Sequence, residues 1–337
     1  MVNAGGAVPN AVPFDAASMP FLSLAGGLDY RRAWEGRVLR VDVSTSSSTA
    51  HTAAMAHNAS AAGLAADLAY AAPIIGALAV LLLALRAAVR RWVLAPLAEA
   101  VVPAKVPKGA RYKRSDTLER FSNSAWELMF YTGSSAIGLY AYSLESWSVW
   151  PTTQMWEAYP LQPMGLWFEG YYFLGFGFYT SALVGVLFLD KPRADYFEYL
   201  LHHVVTLFLL ASSYQIRCHR YGLVIMLLHD TGDVLLNLAK SISYAGGWWE
   251  EVPSTAVFVL FVIDFFFARL VFLPFTVIPS GYWEAMQIPG MQQFAPHFQM
   301  NVALVVLQCL HVFWFVLIVR VAAKKIRSGK LADNRED

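Results

Sequence analysis

The chain has 337 residues, 57% of them hydrophobic and 15% charged, with a formal net charge of +1 at pH 7. Soluble domains sit nearer about 45–50% apolar and about 25% charged, so this composition, with a mean hydropathy of +0.45, predicts a multi-span membrane protein. No long Lys/Arg run with interleaved aromatics is present, which excludes nucleic acid as a partner.

In chain order, residues 1–65 are rich in Ala, Ser and Gly and hold no sustained apolar period, so they read as largely disordered. A charged patch at 29–42 could form a short amphipathic helix, no signal peptide is evident at Met1, and Asn58 begins a glycosylation sequon with Ser60. Apolar windows of about 20 residues follow, the length that crosses about 30 Å of hydrocarbon as helix. Seven are expected, at about 69–92, 122–143, 168–189, 196–214, 221–244, 254–276 and 298–322. The fold class is therefore an all-α, multi-span membrane helix bundle. The segments divide into 1–65, then 66–114 with the first span and a basic loop, 115–325 as the main bundle, and a polar tail at 326–337.

Orientation follows from Lys and Arg beside the spans. Arg90, Arg91, Lys105, Lys108, Arg111, Lys113, Arg114 and Arg120 follow the first span, and Lys324, Lys325, Arg327 and Lys330 follow the last. Six spans separate these groups, so both face one side, expected to be cytosolic, with the N-terminus lumenal. Arg217 and Arg220 fall on the other side, which implies a local role. Cys218 and Cys309 are each alone in an apolar segment and read as small buried hydrophobes, not as a disulfide or a metal site.

The informative residues are polar and lie mid-span. His202 and His203 sit in the fourth window, with Thr206 one turn on; His229, Asp230 and Asp233 sit in the fifth, with Asn237, Lys240 and Ser241 continuing the stripe. Spacings of three and four put His229, Asp230 and Asp233 on about one helical face. Only a few residues connect the two spans, so the clusters can meet. An Asp at the bilayer centre costs about 2.5–3.5 kcal/mol on insertion scales. The set must therefore form an interior network or line a wet cavity. A packed polar network is the plainer alternative to a functional site. Imidazole beside carboxylate suits base catalysis or acyl capture by histidine itself. Three His and two Asp could also bind Zn²⁺ or Fe²⁺, but HH followed by HD-x-x-D is not a familiar ligand spacing, and no metal site is expected.

These residues resemble the longevity-assurance motif of the ceramide synthases, within the larger TLC-domain family. The match comprises Arg193, Asp195, His202, His203, Thr206, Ser213, Tyr214, Arg220, Gly222, His229, Asp230, Asp233, Leu235, Leu236 and Lys240. Segments at 121–131, 149–156, 159–163, 171–181, 256–275 and 303–324 are similar too, so the resemblance covers about 115–325. The form at 213–222 is closer to plant-type members, and the homeobox-like insertion of many animal members is absent.

The resemblance implies N-acylation of a sphingoid base by a fatty acyl-CoA in the endoplasmic reticulum membrane. Acyl-CoA would be a co-substrate, with no resident cofactor. His202 would accept the acyl group, His203 and Asp233 would activate or orient it, and Asp230 and His229 would complete the network. Arg220, Lys240 and Thr206 would support that network, and Arg193, Asp195, Tyr214 and Arg269 would contact substrate. The chain could assemble as a homo- or heterodimer, and the loop at 278–296 is similar to a region tied to acyl-chain choice.

Other features read more plainly. Arg269 is expected to pair with Asp264, His311 with Trp314, and Arg111, Lys113 and Arg114 to act as a topology signal, with CoA phosphate as the sharper alternative. The rival functions are a non-enzymatic lipid-handling or translocon-associated TLC protein and a metal-dependent lipid oxidase or hydroxylase.

Overall fold

A computed structural model of the chain describes residues 61–104, 113–191, 193–246, 248–289, 291 and 295–328. The expectations for residues 1–60, the sequon at Asn58, Lys105, Lys108, Arg111 and Lys330 lie outside the described residues. Among the described residues there is no strand.

The bundle is built from α1 (Ala61–Val89), which runs through a π-helical turn (Arg90–Leu94) into α2 (Ala95–Val101), then α3 (Arg114–Ser143) and α4 (Leu166–Val184). It continues with α5 (Tyr196–Gln215), α6 (His219–Ala245), α7 (Trp248–Asp264) and α8 (Ala295–Ser328). Between α7 and α8 the chain keeps winding as a π-helix over Phe265–Val277 and again over Ser280–Glu284. Pro274 lies inside the longer π stretch. It has no N–H to give to a preceding carbonyl, and local widening of the helix accommodates that loss.

All seven apolar windows are helical. Five helices among the described residues are long and apolar enough to cross a membrane: Ala65–Val101, Leu166–Leu189, His219–Ala245, Val252–Gln287 and Pro296–Arg327. The chain is an all-α, multi-pass membrane protein. The windows in α3 and α5 fall short of that measure because they carry the Ser, Asn, Glu and His side chains that the interior uses. The window at 221–244, whose second half is polar on one side, meets it.

Packing follows the sidedness of each helix. α6, α7 and α8 bury one core of Ala239, Phe258, Phe261, Phe265, Leu310, Trp314, Ile318 and Val321. α2 and α3 share a second, with Leu94, Ala98, Phe121, Ala125 and Trp126. Val205 of α5 packs on Ala303 and Leu307 of α8. α1 and α4 approach closely at Gly177, where a Cβ would stand 2.7 Å from Leu78 Cβ. Small residues let helix backbones meet when lipid supplies no hydrophobic drive between them. Outward faces carry Val80, Leu81, Phe188, Phe197 and Phe275, as lipid contact requires.

Cys218 is buried, as expected, but Cys309 is exposed on the outer face of α8. Burial in the bundle was the wrong environment for Cys309, since the apolar surroundings of an outward helix face are lipid. The tyrosines at 171 and 172 are completely buried, while Phe266 and Phe267 point outward and Phe265 inward.

Candidate active site

α5 and α6 are antiparallel neighbours joined by a turn in which Arg217 adopts φ 67°. That turn brings His202 of α5 and His229 of α6 to the walls of the same two cavities. One cavity, of about 80 Å³, is polar and is lined by Glu127, Tyr131, Tyr179, Arg193, Tyr199, His202, His203, His229, Asp233, Lys240, Arg269 and Trp314 among others. The other, of about 50 Å³, is almost wholly apolar. Its walls include Thr206, Leu209, Leu210, Ile225, Met226, Met300, Leu304 and Leu307. Tyr179, His202 and His229 line both. The histidines therefore stand where a polar chamber meets an apolar one.

The hydrogen bonds fix the imidazoles one by one. His203 Nδ1 lies 2.8 Å from the Tyr199 carbonyl and His229 Nδ1 lies 2.6 Å from the Ile225 carbonyl. A carbonyl only accepts, so both rings carry their proton on Nδ1 when neutral. His229 Nε2 faces His311 Nε2 at 3.1 Å. His202 Nδ1 is buried with no hydrogen-bond partner. Its ring is held edge-on by Trp314, with centroids 5.3 Å apart, and by Tyr179 at 6.2 Å.

The carboxylates take different partners. Asp230 Oδ2 accepts from Ser134 Oγ at 2.7 Å and from the Tyr171 hydroxyl at 2.8 Å, which ties α6 to α3 and α4. Asp233 Oδ1 accepts from Arg269 at 2.8 Å, and the same nitrogen donates to the His229 carbonyl at 3.0 Å. Asp195, just before α5, accepts from Arg193 Nε at 3.0 Å and from Trp314 Nε1 at 3.1 Å. It is not itself a wall of either cavity, but it fixes both the cation and the indole that are.

The sequence-predicted residues thus divide. His202, His203, His229, Asp233, Lys240, Arg193 and Arg269 converge on the polar cavity, and Thr206 lines the apolar one with a buried, unpartnered hydroxyl. Asp230 is turned towards α3 and α4. Tyr214 and Arg220 lie at the far end of α5 and α6, where Tyr214 donates to Glu169 at 2.8 Å and Arg220 donates to the Gln154 carbonyl at 3.1 Å and covers Trp147. Nine residues separate Arg220 from His229, about 13 Å along a helix axis, so neither Tyr214 nor Arg220 joins the histidines.

Two expected pairings are not formed. Arg269 bonds Asp233 of α6, not Asp264. His311 bonds His229, and Trp314 bonds Asp195, so these two are partners of other helices and not of each other. No carboxylate is hydrogen-bonded to an imidazole among the described contacts; backbone carbonyls and His311 do that orienting instead. Arg217 meets Asp67 at 3.4 Å, and Arg114 pairs with Glu99 at 2.6 Å, so both have local structural roles.

Sequence reading missed Glu127, Tyr131, Tyr179 and Tyr199. The signal was available for Glu127, an acidic residue inside an apolar window. Among the described residues no three His, Cys, Asp or Glu side chains are grouped to hold a metal ion.

A TLC domain model matches residues 120–320. The plant ceramide synthase LOH1 of Arabidopsis thaliana is 31% identical over 236 residues, 66% of this chain and 74% of that protein. The chain belongs to the ceramide synthase family of TLC-domain proteins. Ceramide synthase hyl-2 of Caenorhabditis elegans is 30% identical over 257 residues, 73% of this chain and 77% of its own length. Ceramide synthase 4 of Bos taurus is 34% identical over 220 residues, 65% of this chain and 54% of its own length, so the chain spans about half the length of the mammalian relatives it matches.

Proposed function

We propose that this protein is an acyl-CoA-dependent sphingoid base N-acyltransferase, a ceramide synthase, with His202 as the acyl carrier. The observation that carries this reading is the position of His202 at the junction of a polar and an apolar cavity. A fatty acyl thioester has that same division: a polar head, a reactive carbonyl, and a hydrocarbon tail. With the tail in the apolar cavity, the carbonyl meets His202.

The chemistry then runs in two balanced steps. A lone pair of the neutral His202 ring attacks the thioester carbonyl, the C–S bond breaks, and the departing thiolate takes up the ring proton to leave as CoA thiol. The sphingoid amine, having lost the proton of its ammonium, attacks the acyl-imidazole. The C–N bond to the ring breaks, and the ring recovers a proton from the new amide nitrogen. The acyl-imidazole is activated towards amines, and a lipid-embedded, apolar chamber keeps water from competing.

Glu127 and Asp233 supply negative charge in the polar cavity, and Arg193, Lys240 and Arg269 supply positive charge. Asp233 is committed to Arg269, which leaves Glu127 to meet the acceptor's ammonium and take its proton. The basic residues at this end, with Arg86–Asp190 and Lys191–Glu119 pairs joining the helix ends there, support access for CoA from the cytosolic face of the endoplasmic reticulum, with the N-terminus lumenal.

The test is ceramide formation by purified protein in proteoliposomes from palmitoyl-CoA and sphinganine. Product that depends on His202 supports the reading. A well-folded wild type that forms none contradicts it and leaves a non-catalytic TLC protein.

A further inference from the structure

We propose that Tyr221 is the stop that limits how long an acyl chain this protein accepts, an inference that rests on the apolar cavity holding the acyl tail. Tyr221 lies on α6 eight residues before His229, about 12 Å along the helix axis at about 1.5 Å per residue. It is a wall of the apolar cavity and also of a second, smaller apolar cavity of about 10 Å³ on its other side. Met300 and Leu304 of α8 are the other residues common to both. The tyrosine thus divides a longer channel into two compartments, and the far one continues towards Cys218 and Met291.

The ring is fixed as a wall. It is 3% exposed, it packs on Trp156 with centroids 5.2 Å apart, and its hydroxyl is buried with no hydrogen-bond partner. A buried hydroxyl without a partner is disfavoured, so packing alone does not account for Tyr over Phe here. What the hydroxyl adds is reach. It abuts the backbone at Gly281, where an added Cβ would collide with it. Tyr221 therefore spans the passage from α6 to the segment before α8 and closes it. An acyl chain attached at His202 presses on this ring, and the more carbons it carries the further it has to displace it.

The experiment offers the full chain in proteoliposomes an equimolar mixture of palmitoyl-CoA and lignoceroyl-CoA with sphinganine, and reads the ratio of the two ceramides. The wild type favours palmitoyl. Tyr221→Ala joins the compartments and raises the lignoceroyl-to-palmitoyl ratio about tenfold or more, a shift within the range a pocket wall can set. Met300→Ala widens the same passage from the opposite helix and moves the ratio the same way, which keeps the test decisive if Tyr221→Ala does not fold. A merely structural role for Tyr221 lowers the melting temperature and leaves the ratio alone. An unchanged ratio in active Tyr221→Ala, or in Met300→Ala if the first variant is inactive, overturns the stop. A wild type that makes neither ceramide overturns the acyltransferase reading and the stop with it.

Discussion

His229 and His311 meet Nε2 to Nε2 at 3.1 Å between α6 and α8. Because the Ile225 carbonyl holds the proton of His229 on Nδ1, His229 accepts and His311 donates. His311 is completely buried and lies outside the recognised motif. His311→Leu strands the His229 lone pair in the interior, which costs about 1–3 kcal/mol. His311→Gln keeps a donor. Thermal unfolding in detergent should show a clear loss of Tm for the Leu variant and a much smaller one for Gln; equal losses would mean that volume, not the hydrogen bond, decides.

Asp233 and Arg269 form an ion pair at 2.8 Å with both side chains largely buried. Removing one partner leaves a buried charge, which costs about 3–5 kcal/mol. Asp233→Ala and Arg269→Ala should each be strongly destabilising, and the double variant should lose less than the two single losses added. Additive losses in a double-mutant cycle would show that the two do not act as a pair.

Asp230 accepts two hydroxyl hydrogen bonds and does not line the cavities. Its effect is to position α6 against α3 and α4. Asp230→Asn retains an acceptor oxygen and should keep most ceramide formation, whereas Asp230→Leu orphans Ser134 and Tyr171 and should lower both Tm and activity. An inactive but fully stable Asp230→Asn would instead give the carboxylate a direct chemical role.

Glu127→Gln separates the two half-reactions. The proposed acceptor site predicts that KM for sphinganine rises about tenfold or more, the scale of one charge-assisted hydrogen bond, while acylation by acyl-CoA alone is unchanged. A loss of acylation with sphinganine KM intact would move Glu127 to the donor side.

The helical, membrane-spanning character was legible because a run of about 20 apolar residues has few alternatives in a bilayer. That His202, His203, His229 and Asp233 would face a shared interior space was legible because charge and imidazole are costly in a bilayer unless turned inward. What spacing could not give was partner choice. Asp230 and Asp233 lie three residues apart and share a face, yet one turns to Ser134 and the other to Arg269. Arg269 was assigned to Asp264 because both lie in the same apolar window, whereas its partner Asp233 lies on α6, a contact between helices that spacing within one window does not reveal. Tyr214 and Arg220 looked functional through motif membership alone, and their distance along the helices was readable from residue counts.

Whether His202 carries the acyl group is read from the intact mass of purified protein after incubation with palmitoyl-CoA and no acceptor, comparing the wild type with His202→Ala and His203→Ala. Acyl transfer through His202 gives a palmitoyl adduct on the wild type and on His203→Ala, absent from His202→Ala, and discharged as ceramide when sphinganine is added. Ceramide formation by His202→Ala, or an adduct that persists in it, would show that His202 is not the carrier.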